Sequence, residues 1–197
     1  MNPGIITKEN YKDYLKIYPY DSILYKERIS ETEGFPIVPR SHYCSFWNCR
    51  IAKYDHYCAW VAAPIVSKNH KYFLAFLLAN INSSIYYIYG TFNLLRYRME
   101  MHKIYLTTLF SLYESIFWVL FWEPLILASL ASLIITFIAL TLFVIQQSVG
   151  ISRNITLVEG EKISNLNKIR KKDGLPAYIH AYNKGFLANW NDFFSGI

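Results

Sequence analysis

The sequence is poor in charge. Asp, Glu, Lys and Arg make up 17% of its 197 residues, against roughly 25% in an average soluble protein. It is also poor in cysteine, with three thiols, Cys44, Cys49 and Cys58, crowded into one short segment. An odd count argues against a paired disulfide framework. The opening residues, MNPGIITKENYKDY, contain no apolar h-region. No secretory signal is therefore expected, and the thiols are expected to be cytosolic and reduced.

The missing charge is concentrated in two places. Phe73 to Leu95 (FLAFLLANINSSIYYIYGTFNLL) has no charged residue, and neither does Pro124 to Ser152. Each exceeds the ~20 residues that a helix needs to cross a bilayer. Asn80, Asn82, Ser83 and Ser84 in the first run, and Ala128, Ser129, Ala131 and Ser132 in the second, are expected to face protein. Ile104 to Trp122 is apolar but holds Glu114, which would be costly in mid-membrane. It is expected to lie near the interface and run into the second span, with Pro124 marking a bend or a helix start.

Apolar residues make up 53% of the chain and aromatics 18%, and the formal charge is +6. Such a charge suits an acidic partner, and with apolar runs of this length that partner is a membrane rather than a nucleic acid. Lys and Arg gather before Tyr72 and after Ile151, with only Arg96, Arg98 and Lys103 between. Positive residues stay on the cytosolic side. The fold class expected is a mainly α integral membrane protein with both termini cytosolic. Its parts are a small irregular cytosolic domain over 1–71, two transmembrane helices within 72–152 (about 73–95 and 124–149), and a cytosolic helical tail over 153–197. In the tail, "IRKKDG" reads as a basic turn, and Gly185 as a turn or helix start before an aromatic helix.

Asp55, His56 and Cys58 stand together in "AKYDHYCAW". Acyl transfer through a thioester needs a thiolate, and a free thiol has a pKa of about 8.5. An imidazole can take its proton, and a carboxylate can fix the tautomer of that imidazole. In an extended segment His56 and Cys58 share a face while Asp55 points away. The chain must therefore bend at Asp55–His56 for all three to meet. A plain surface or core cluster is the alternative. A metal site is another, but Cys44-x4-Cys49 with His56 and Cys58 fits zinc spacing badly. Lys53, Lys68 and Lys71 flank the cluster. They suit a phosphate-rich cofactor such as coenzyme A, or ordinary positive-inside anchoring.

Pro39 to Phe73 resembles the cysteine-rich domain of the DHHC-type protein S-acyltransferases, or palmitoyltransferases. That family has Pro-Arg-Ser-x-His-Cys, then Asp-His-His-Cys, Pro-Trp-Val and Asn-x3-Phe. This chain has Pro39-Arg40-Ser41, Cys44, Asp55-His56-Tyr57-Cys58, Trp60-Val61, Asn69 and Phe73 in register. "NPG" from Asn2 is similar to the family's Asp-Pro-Gly, and "TLVE" at Thr156–Glu159 to its Thr-Thr-x-Glu. Tyr182, Gly185 and Asn189 match its C-terminal motif. The resemblance implies a palmitoyl-CoA or other fatty acyl-CoA donor, a Cys58 thioester with His56 as base and Asp55 orienting it, and transfer to cytosolic cysteines of protein substrates. It implies that Trp60 packs near the donor, Thr156 helps to hold Asp55 and Asn189 ties the tail to the membrane helices. Trp60 as an interfacial anchor, and Thr156 and Asn189 as cap or packing residues, are the plainer readings. An endomembrane location, the ER or Golgi, is implied too.

The departures are large. The family's eight zinc-ligand positions fall on Ser30, Glu33, Tyr43, Cys44, Trp47, Arg50, Tyr57 and Pro64, and Cys49 lies one residue out of register. Two zinc ions are expected to be lost, with Tyr43, Phe46, Trp47, Tyr54 and Tyr57 packing in their place. Ala59 and Val66 replace a family Pro and Gly. Two further family spans would precede Asn2, so the chain is expected to be a fragment, a subunit that borrows helices from a helix-donating membrane partner, or a degenerate relative. The alternative to an enzyme is a catalytically impaired membrane adaptor or partner subunit.

Overall fold

The computed structural model describes residues 3–104 and 109–196. Asn2 of the "NPG" motif lies outside them. Helices dominate, and two compact units form: Met1–Leu74 with Gln147–Ile197, and Ala75–Gln146.

The first unit begins with strand β1 (Ile5–Ile6) and helix α1 (Tyr11–Ile17). Strands β2 (Ser41–Cys44), β3 (Cys49–Ala52), β4 (Tyr54–Cys58) and β5 (Ala63–Val66) follow. The region expected to be irregular is thus two antiparallel sheets, β1-β3-β2 and β4-β5. The strands are too short for their alternation to stand out in so aromatic a sequence. One core cluster joins Ile6, Tyr18, Phe35, Val38 and Ala52. A second joins Cys44, Ile51, Tyr54 and Val66, with Val158 from the tail packed against it.

The same unit holds the first residues of helix α2 (Ser67–Met101) and the last of helix α4 (Pro124–Arg153). It also holds helices α5 (Leu157–Lys172) and α6 (Phe186–Ser195). Gly185 is the N-cap of α6 with a φ of 94°, a conformation open to glycine. Arg170, Lys171 and Lys172 form the last turn of α5, where cations complement the helix dipole. The basic residues therefore end a helix, and the turn itself is Asp173–Gly174.

The second unit holds the rest of α2 and α4, with helix α3 (Leu109–Trp122) between them. Pro124 opens α4 at a position where its missing N–H costs nothing. Helical bonding still bridges the junction, from Leu127 N–H to the Glu123 carbonyl. Arg98 pairs with the buried Glu123 at 2.7 Å. α4 is, by length and hydropathy, the one described helix that is apolar enough to cross a membrane. α2 is longer, at 35 residues, or about 52 Å, but its amides, serines and tyrosines lower its hydropathy. Asn80 and Ser84 bond back to their own helix, and Ser84 is buried. Ser129 and Ser132 are exposed and bond back likewise. Leu125, Ile135 and Leu142 are also exposed, as residues facing lipid would be.

A buried fork locks the first unit. Arg40 Nε donates to Glu159 Oε1 at 2.6 Å and Nη2 to Oε2 at 2.8 Å. Tyr25 also donates to Glu159 Oε1. Burial alone would raise the Glu159 carboxyl, but the Arg40 guanidinium and its bonds outweigh it and hold the group down to about 2. A depressed carboxyl stabilises the fold above its ordinary value and loses that contribution as pH falls toward its folded value. We expect Glu159→Gln to be less stable than the wild type at pH 6. The gap should narrow as pH falls from 4.5 toward 2, as measured by denaturation midpoints across that range.

Candidate active site

β3 and β4 are joined by Lys53 alone, at a φ of 44°. β4 runs to a turn at Ala59–Ala62, and β5 returns alongside it. The pairing slips once. Tyr54 faces Val66 and His56 faces Ile65, so Asp55 is the extra residue of a β-bulge. A regular strand would send Asp55 and His56 to opposite faces. The bulge supplies the required bend, and His56 Nδ1 donates to Asp55 Oδ2 at 2.8 Å. Past the bulge, strand alternation puts Cys58 on the same face as His56. Phe73 sets its ring edge-on against His56 at 5.2 Å.

Asp55 is 2% exposed, so its charge needs donors. Oδ1 accepts the Leu157 backbone N–H at 2.6 Å, and Oδ2 also accepts from Gln147 Nε2 at 3.2 Å. Burial alone would raise this carboxyl. The bond from His56, the nearby His70 and the Leu157 N–H together hold it below the ordinary value.

Thr156 acts through the backbone. Its hydroxyl accepts the Glu159 N–H at 3.3 Å, and the Glu159 carboxylate accepts the Thr156 N–H at 2.9 Å. This capping box fixes the first turn of α5, whose Leu157 N–H is left over for Asp55. The link from Thr156 to Asp55 is therefore one backbone N–H rather than the hydroxyl. Asn189 joins α6 to the end of α4: its Nδ2 donates to the Ser152 carbonyl at 2.8 Å.

Trp60 stands at the tip of the β4–β5 turn and is 71% exposed. The three lysines are dispersed. Lys53 is half-buried beside a cavity of about 30 Å³ lined also by His70, Thr156 and Asn189. Burial, with the charge of Arg40, pushes its ammonium down to about 8. Lys71 donates to the Phe194 carbonyl at 2.7 Å, at the C-terminal end of α6. Lys68 is exposed at the start of α2. Two further residues reach this network without having been marked in the sequence: His70 and Gln147. The only signal for Gln147 was an amide in an otherwise apolar helix.

Asp55 thus holds the His56 Nδ1–H, which leaves Nε2 as the acceptor able to take a proton from a thiol. A family model described as DHHC palmitoyltransferase matches residues 24–164, more than half of the chain. The chain belongs to the DHHC palmitoyltransferase family. It is 36% identical over 81 residues to palmitoyltransferase SWF1 of Yarrowia lipolytica, 41% of this chain and 21% of that protein. It is 35% identical over 77 residues to palmitoyltransferase ZDHHC4 of Bos taurus, 39% of this chain and 22% of that one. To palmitoyltransferase swf1 of Schizosaccharomyces pombe it is 33% identical over 80 residues, again 22% of the relative. The chain spans about a fifth of the length of the curated relatives it matches.

The family's zinc positions carry different chemistry here. Ser30 donates to Glu33 Oε2 at 2.9 Å, and Arg50 Nε donates to the same oxygen at 2.6 Å. Arg50 is a fixed cation and Pro64 has no side-chain donor atom, so neither can ligate zinc. Tyr57 stacks on Phe46 at 4.1 Å. The expected aromatic packing is only partial, because Phe46 and Trp47 are exposed and Tyr54 alone of the five is buried. Among the described residues no three His, Cys, Asp or Glu side chains gather as a metal ion would require. The Glu33–Arg50 ion pair stands at two of the eight positions, and Ser30 at a third donates to it.

Arg50 and Glu33 side chains are 8% and 11% exposed. Removing one partner leaves the other charge with little water. We expect Glu33→Ala to cost roughly 3 kcal/mol of stability, while Glu33→Leu with Arg50→Met recovers most of it. Urea denaturation of the three proteins checks this.

Proposed function

We propose that this chain is a membrane-bound protein S-acyltransferase working through a Cys58 thioester. The observation that carries the reading is the bulged strand that ties buried Asp55 to His56 and continues to Cys58. His56 Nε2 takes the Cys58 proton, and the thiolate attacks the thioester carbonyl of a fatty acyl-CoA such as palmitoyl-CoA. The bond from carbonyl carbon to coenzyme A sulfur breaks, and the departing thiolate takes the proton back. A cysteine thiol of a cytosolic protein substrate then attacks the Cys58 acyl group, with His56 again accepting and returning the proton. Asp55 fixes the His56 tautomer throughout. Exposed Trp60 suits an acyl chain or the bilayer interface. Lys68, exposed at the start of α2, suits a coenzyme A phosphate, whereas Lys53 and Lys71 have structural surroundings.

On this reading α2 and α4 both cross the bilayer, about residues 73–95 and 124–149, and α3 lies near the far interface. Residues 1–71 and 153–197 are cytosolic, on an endomembrane of the ER or Golgi type. The placement of cations and the length of α2 support the second crossing. The cysteine-rich region folds without zinc.

Purified protein in lipid, given labelled palmitoyl-CoA, should acquire a hydroxylamine-sensitive label that Cys58→Ser loses. Absence of label on the wild type, with or without protein substrate, would leave the chain as a non-catalytic adaptor of the family. Metal analysis of the same sample should find less than stoichiometric zinc, and a full equivalent would overturn the zinc-free reading.

A further inference from the structure

α4 ends in "FVIQQSVGISR", and its two adjacent amides have different surroundings. Gln146 is exposed, but Gln147 is 3% exposed. An amide withdrawn from water needs partners at both ends. Gln147 has them: Nε2 donates to Asp55 Oδ2 at 3.2 Å, and Oε1 lies 2.8 Å from His70 Nε2. The amide can sit only one way round. A carboxylate accepts and does not donate, so the NH2 end must face Asp55. The carbonyl end then needs a donor, and the His70 Nε2–H is that donor. Burial lowers His70 below the ordinary imidazole value against the pull of Asp55, which favours the neutral ring with an N–H directed at Gln147.

The bonds form a directed chain, His70 to Gln147 to Asp55, meeting the bond from His56 on the same carboxylate oxygen. Leu157 holds the other oxygen. Without Gln147, the one partner of Oδ2 is His56, the group that the carboxylate must itself orient. With Gln147, Oδ2 has a second donor from a different element, which fixes the direction in which His56 is held. We propose that Gln147, oriented by His70, is a positioning residue that sets the Asp55–His56 geometry for the Cys58 thiol. This rests on the acyl-transfer reading of Asp55, His56 and Cys58. It gives the start of α2 and the end of α4 a role in the chemistry beyond anchoring.

Cys58 alkylation by iodoacetamide, followed by peptide mass spectrometry on the full chain in lipid, tests this without requiring acyl transfer. Gln147→Met keeps length and volume and removes both bonds. It should slow Cys58 alkylation at pH 7 about tenfold, the scale of one hydrogen bond to a charged group. Asp55→Ala should slow it at least as much. The double variant should be no slower than Asp55→Ala alone, because Gln147 acts through Asp55. Ring 15N shifts of His56 should report the Nδ1–H tautomer in the wild type and a mixture in Gln147→Met, a change that a packing role would not produce. Gln147→Glu serves should the methionine variant fail to fold. It has the same shape, places an acceptor against Asp55 and should also slow alkylation. Wild-type rates in both Gln147 variants, or additive losses in the double variant, would overturn the inference. If Asp55→Ala leaves the rate unchanged, the acyl-transfer reading of the cluster falls and this inference falls with it. If Asp55→Ala slows the reaction and the Gln147 variants do not, this inference alone falls.

Discussion

The fork between Arg40 and Glu159 is the contact on which the candidate site depends. Its side chains are 1% and 3% exposed and 119 positions apart in sequence. A buried pair of this kind is stable only when its remaining donors and acceptors are satisfied. Here they are. Arg40 also bonds the Asn154 carbonyl and side chain, and Glu159 also takes Tyr25 and the Thr156 N–H. The pair therefore fixes the loop before α5 as well as the helix. That helix start presents the Leu157 N–H to Asp55, Asp55 fixes His56, and His56 shares a strand face with Cys58. A contact far from the thiol in sequence thus sets the orientation of its neighbour.

The second constraint is local. A strand places alternate residues on opposite faces, so an acid next to a base on a regular strand cannot reach it. The chain resolves this with one extra residue at Asp55 rather than with a loop. A bulge turns a single side chain and leaves the strand on either side paired. It lets Asp55 turn inward to its donors while His56 and Cys58 keep their intermediate exposure.

What was legible in the sequence follows from the range of each signal. The apolar helix α4, the Gly185 helix start and the need for a bend at Asp55 rest on short-range rules, and the structure contains each of them. Thr156 was legible as a cap or as a partner of Asp55. The structure shows the cap, and the bond to Asp55 comes from the Leu157 N–H beside it. The strands were missed because Ser41–Cys44 and Cys49–Ala52 are too short to show a period. His70, Gln147 and the Arg40–Glu159 fork were missed for another reason: their partners are remote in the chain, and no local pattern marks which amide in an apolar helix will meet a carboxylate.

The changed zinc positions fit the same logic. The loop that carries Ser30 and Glu33 is closed on itself by the Ser30 to Phe35 and Gly34 to Ser30 backbone bonds. Arg50 on β3 ties it to the sheet through Glu33. Ile51, Val66 and Val38 are fully buried in the same unit. None of the donors that hold Asp55 comes from those eight positions. They come from α4, α5 and the neighbouring His56. The Asp55–His56 geometry is therefore anchored on the helices rather than on the loops that carry those positions.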